Sequence, residues 1–69
     1  MCEARVYLHE QREENLIMRD VVRIERERDD GQTIVLGDLF GDQKLLHGDI
    51  VSIDFLNHTV VIAPKEDAG

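Results

Sequence analysis

This chain of 69 residues has no tryptophan, one tyrosine, two phenylalanines, one proline, one serine and one cysteine. Each shortage closes something off. A lone cysteine makes neither an internal disulfide nor a Cys-x-x-Cys zinc or redox motif, so a domain this small must draw on packing, self-association or a metal. The single serine, Ser52, has no Gly-x-Ser-x-Gly around it, which removes the nucleophile elbow. His9, His47 and His58 match no zinc pattern such as His-Glu-x-x-His. Gly37 and Gly41 are each followed by Asp rather than by a lysine and a helix, so no phosphate-cradling loop is present. There is no basic leader and no long apolar run, hence no signal peptide or membrane span is expected. A free thiol fits a reducing compartment, and the expected location is the cytoplasm. A barrel of this size has little room for a substrate, so a non-enzymatic role is expected.

Positive charge is also short: 8 Lys and Arg stand against 15 Asp and Glu, a formal net charge of −7. Nucleic-acid affinity depends on neutralising phosphates, and this balance argues against such a partner. Arg19, Arg23, Arg26 and Arg28 are close in sequence, but Asp20, Glu25 and Glu27 interleave them, which reads as a charge-paired strand edge. Asp38, Asp42, Asp49 and Asp54 read as turn formers and solvent-facing strand residues.

What the chain does have is alternation. Cys2, Ala4, Val6 and Leu8 fall on one side of residues 2–9, with Glu3, Arg5, Tyr7 and His9 on the other, the period of a half-buried strand. Further strands are expected at residues 16–18, at 21–28 with Val22 and Ile24 on one face, and at 33–36. Others follow at 43–47, ended by Gly48-Asp49, at 50–56, with Ile50 or Val51 starting an inward set, and at 59–62. Leu39 and Phe40 are expected to plug one end of the barrel, Phe55 to join the core, and Asn57-His58 to form a two-residue hairpin. Tyr7 is the one aromatic expected on an exposed face. Together these features predict an all-β protein: one domain over residues 1–69, a small SH3-like or Sm-like β-barrel of about six short antiparallel strands, with residues 65–69 as a frayed tail.

Cys2 carries the chemistry. Its thiolate, paired with a terminal amine if Met1 is removed or with a backbone nitrogen if it is kept, makes a chelate with two donors. Two such arms meeting on a two-fold axis supply four, an N2S2 set that suits nickel(II) or copper(II). The competing reading is a small apolar residue at the start of a strand. His58, at a hairpin tip, would matter only if that hairpin approached the Cys2 end.

Several stretches, read together, resemble the CooT family: Met1-Cys2-Glu3-Ala4 with Val6-Tyr7-Leu8, Asp20-Val21-Val22, Gly37-Asp38-Leu39-Phe40-Gly41, and Ile53-Asp54-Phe55-Leu56-Asn57-His58. The likeness runs from Cys2 to about Pro64. It implies a small homodimeric β-barrel that binds one Ni(II) at the dimer interface through Cys2 of each subunit. The partners it implies are a second copy and a nickel-dependent enzyme of the carbon monoxide dehydrogenase type, or its maturation factors. Family members have also been labelled predicted RNA-binding proteins by analogy of fold. The alternative function is therefore a small RNA-binding barrel acting through Tyr7, Arg5 and the arginines from Arg19 to Arg28. A third is a bare dimerisation module. The donor set does not rank nickel over copper or cobalt, nor does the sequence say whether the metal is stored, delivered or sensed.

Overall fold

A computed structural model describes residues 3–29 and 31–65. Five strands, β1 (Ala4–Leu8), β2 (Leu16–Arg26), β3 (Thr33–Asp38), β4 (Gln43–Asp54) and β5 (Thr59–Pro64), are joined by tight turns and one 3-10 turn at Glu13–Asn15. They close into a barrel in chain order. Every neighbouring pair is antiparallel except β1 and β5, which run parallel. No helix among the described residues is long and apolar enough to cross a membrane.

The fold is all-β, as the alternation implied, but the strand count is five rather than about six. Two breaks read from the sequence are not breaks. Residues 16–18 and those after Asp20 form one strand, β2. Asp20 takes a positive φ of 55° at the kink, and Val21 pairs with both Ala4 of β1 and Asp38 of β3. A bulge between Val21 and Arg23 interrupts the alternation; Val21 is buried and Val22 exposed. Gly48-Asp49 likewise does not end a strand. β4 runs through it, pairing with β3 before it and with β5 from Gly48 onward. A β-carbon at Gly48 would collide with the carbonyl oxygen of Ala63 and lie 2.9 Å from the Pro64 Cα, so glycine is needed there for close approach of β5.

The core is a short list of aliphatics, Val6, Val21, Ile34, Leu36, Val60 and Ile62, with Ala4, Leu8, Ile17, Met18, Ile24 and Leu46 packed around it. β1 and β5 are buried on both faces along their shared middle. Tyr7, expected on an exposed face, is only 6% exposed, and its cross-strand neighbour Val61 is buried too. The physical reason is the connection after β1. Gln11 folds over that outer face, where its Oε1 accepts a hydrogen bond of 3.3 Å from the Thr59 hydroxyl.

Other expectations fail at the ends of β4. Leu39 and Phe40 plug nothing: they stand 45% and 76% exposed on the turn between β3 and β4, and neither belongs to the core cluster. Phe55, expected in the core, is 82% exposed, and Leu56 beside it 88%. Neither Ile50 nor Val51 starts an inward set; both are exposed, and the register shift between Ile50 and Ser52 breaks the alternation. The β4–β5 connection is a turn of four residues, 55–58, between the paired Asp54 and Thr59, and His58 rather than Asn57 takes the positive φ of 55°. Of the expected tail, Lys65 donates its amide to the His47 carbonyl at 2.9 Å, and residues 66–69 lie outside the described residues.

Candidate functional site

Cys2, the expected metal residue, lies outside the described residues together with Met1. The structure does define the start of β1, which follows it in the chain. β1 begins at Ala4, and Ala4 lines an open apolar groove of about 210 Å³ at the mouth of the barrel. The far wall of this groove comes from β2, through Val22, Arg23 and Ile24, and the near wall from Ile53, Phe55 and His58. Among the described residues, β2 beyond Val21 pairs with β3 alone.

The 55–58 turn is held against the start of β1. The Arg5 amide donates to the His58 carbonyl at 2.9 Å, and Arg5 Nη2 to the Asn57 carbonyl at 3.4 Å. The His58 turn thus lies against the described start of β1, while Cys2 itself lies outside the described residues. Arg5 is three residues from Cys2, a chain reach of at most about 10 Å.

Asp54 fixes this turn. Its Oδ1 accepts from the amides of Leu56 and Asn57, each at 3.0 Å, and its Oδ2 accepts from Asn57 Nδ2 at 2.8 Å. The backbone bond from Asn57 is the largest of the influences that hold the Asp54 carboxyl below its ordinary pKa of 3.8; the Asn57 side chain, the Leu56 amide and the nearby His58 act in the same direction. Aspartate at the head of a turn was legible as a turn former. What it achieves, the outward display of Phe55 and Leu56, was not. The missed signal is two large apolar residues directly after an Asp that ends a strand.

No group of three or more His, Cys, Asp or Glu among the described residues is arranged to hold a metal. A complete donor set would therefore have to draw on the N-terminal residues, on a second copy, or on both. The arginines expected along β2 are charge-paired in part: Arg23 Nε lies 2.9 Å from Glu25 and Arg26 Nη1 3.8 Å from Asp49. The RNA reading loses its stacking residue, since Tyr7 is buried.

A search of curated proteins finds no match to this sequence. A family profile described as "CO dehydrogenase accessory protein CooT" matches residues 1–63, a span that includes Cys2 and reaches into the last strand of the barrel. The chain belongs to the CooT family of CO dehydrogenase accessory proteins.

Proposed function

We propose that this accessory protein binds nickel(II), holding one ion between two copies of the chain through Cys2 of each, for maturation of a CO dehydrogenase-type enzyme or for nickel trafficking. The observation that carries the reading is the match to an accessory-protein family over a span that includes Cys2. The groove beside Ala4 adds support for the second copy. Val22, Ile53 and Phe55 line it and are exposed in the single chain, and apolar side chains so displayed mark an interaction surface. Arg5, Arg23 and His58 stand near Asp54 there, so a two-fold axis can set opposite charges against each other. A copy docked on this face sets the two Ala4 ends of β1 on the shared interface.

The donors named are borderline-soft thiolate and backbone or terminal nitrogen, which suit a square-planar d⁸ ion. When bound, nickel is cargo, and the work of the chain is to present the thiols at an exposed rim from which an acceptor can take the ion. Binding must displace protons from sulfur and nitrogen, so affinity rises with pH.

The test is a nickel titration of untagged protein followed by absorbance, with Cys2→Ser and a Met1-retaining sample in parallel. Saturation at one metal per two chains is expected, with thiolate-to-nickel charge-transfer bands that Cys2→Ser lacks. The Met1-retaining sample separates amine from amide as the nitrogen donor, and His58→Ala reports on the neighbouring imidazole. Binding that does not saturate, or that ignores Cys2, ends the nickel reading.

A further inference from the structure

We propose that the turn joining β3 to β4 is a second docking point, separate from the groove beside Ala4, for a protein partner that presents an apolar cleft rimmed by Lys or Arg. The turn displays Leu39 and Phe40 to solvent, and neither residue lines the groove. Its backbone is tied at both ends. Asp38 Oδ1 accepts from the amides of Phe40 and Asp42, each at 2.9 Å, and the Asp38 amide donates to the Asp42 carbonyl at 3.0 Å. The Leu39 amide donates to the Asp20 carbonyl at 2.9 Å, which anchors the turn to the kink of β2. Gly41, at a φ of 93°, completes the reversal.

An exposed aromatic on a backbone this well fixed loses little further freedom on binding, which is what a pre-organised anchor requires. The core cluster does not include it. Charge identifies the occupant. Asp20, Asp38 and Asp42 are gathered at this turn, in a chain of net charge −7. Arg19 and Lys44 flank it along the sequence, and Arg23, in the adjoining notch, is engaged by Glu25 at 2.9 Å. A second copy docking here would bring like carboxylates together. Two side chains also offer far less than the roughly 1,200 Å² of a stable dimer. A cationic rim around an apolar cleft satisfies both the ring and its surroundings.

The proposal rests on the accessory role in one respect, the choice of probe, which is purified nickel-free CO dehydrogenase. Wild-type protein, the Leu39→Ser/Phe40→Ser double variant and Asp42→Asn are titrated against it at several salt concentrations. The double variant is expected to bind roughly thirtyfold more weakly, the scale of losing a central anchor. Asp42→Asn is expected to weaken binding by a smaller factor and to flatten its salt dependence. Both variants should keep the circular dichroism spectrum, sedimentation coefficient and nickel stoichiometry of the wild type. Unchanged affinity in the double variant overturns the proposal, as does absence of binding by the wild type. A changed sedimentation coefficient in the double variant also overturns it, by assigning the turn to a second copy. The two readings fail separately: nickel saturation without enzyme binding removes the docking point alone, and Phe40-dependent binding without nickel removes the metal reading alone.

Discussion

The turns at the two ends of β4 are built alike. Each opens with an aspartate whose carboxylate accepts from two following amides, Asp38 in one and Asp54 in the other. Each continues with two large apolar side chains, Leu39-Phe40 and Phe55-Leu56, held in solvent. Each includes a residue of positive φ, Gly41 at 93° and His58 at 55°. Their settings differ. The first is gathered with carboxylates at the β2 kink, whereas the second touches Arg5 and lies beside Arg23, His58 and the start of β1. The same local device thus presents an apolar pair within a largely anionic field at one end and a mixed field at the other. Arg23 borders both sites, so the contrast lies in Asp20, Asp38 and Asp42 gathered at the first turn, which suit a cationic partner, against Arg5 and His58 at the second. Local sequence fixes the shape of such a turn, and the neighbours brought by the fold fix its use.

The harshest way to break the comparison is to disturb the strand that holds the turns apart. Gly48→Ala drives a β-carbon into the β5 backbone and should destabilise the protein by about 1–3 kcal/mol, measured by denaturant unfolding. An unchanged midpoint would mean that β5 moves aside at little cost. Phe55→Ser comes next: it should raise the dimer dissociation constant roughly thirtyfold in sedimentation experiments, with no comparable effect from Phe40→Ser. Equal effects from both would erase the distinction between the turns. Asp38→Ala removes the acceptor for two amides and should lower stability by about 1 kcal/mol, with faster hydrogen exchange at Phe40 and Asp42 and none of this at Leu56 or Asn57.

The smallest effect is one of pH. The folded-state pKa of Asp54 is depressed below 3.8, so its stabilising contribution is complete above that value and fades as pH falls through the lower folded one. The melting temperature of the wild type relative to Asp54→Asn should therefore converge below pH 3.8. A difference that stays constant through the acid range would remove the carboxylate from the anchoring of the turn.

Much of this molecule was readable before its structure. The inward set of β1, the Asp and Gly residues as turn formers, the last strand from Thr59 and the family itself all followed from spacing and motif. What could not be read depended on residues far away in sequence. Tyr7 is covered by a loop whose contact runs to Thr59, and Gly48 is glycine because of Ala63 and Pro64. Phe40 and Phe55 read as core because large apolar residues usually are. Only the assembled barrel shows that its core cluster is made of aliphatics from β1, β2, β3 and β5, with both rings left on turns at the ends of β4. Cys2, the centre of the functional reading, owes its candidacy to donor chemistry and to the family, and the described residues contribute its surroundings.

The parallel pairing of β1 with β5 has a consequence in time. Residues 5–8 find their partners at 59–62, almost a whole chain length away, and no earlier strand can take that place in the ring. Folding of this barrel is therefore governed by its longest-range contact, which slows it relative to a fold of local hairpins. During synthesis the first strand can pair with β2 early, but its second edge stays open until β5 has left the ribosome. The ring, and the groove that Ala4 lines together with Thr59 and Val60, therefore forms only once the last strand is made.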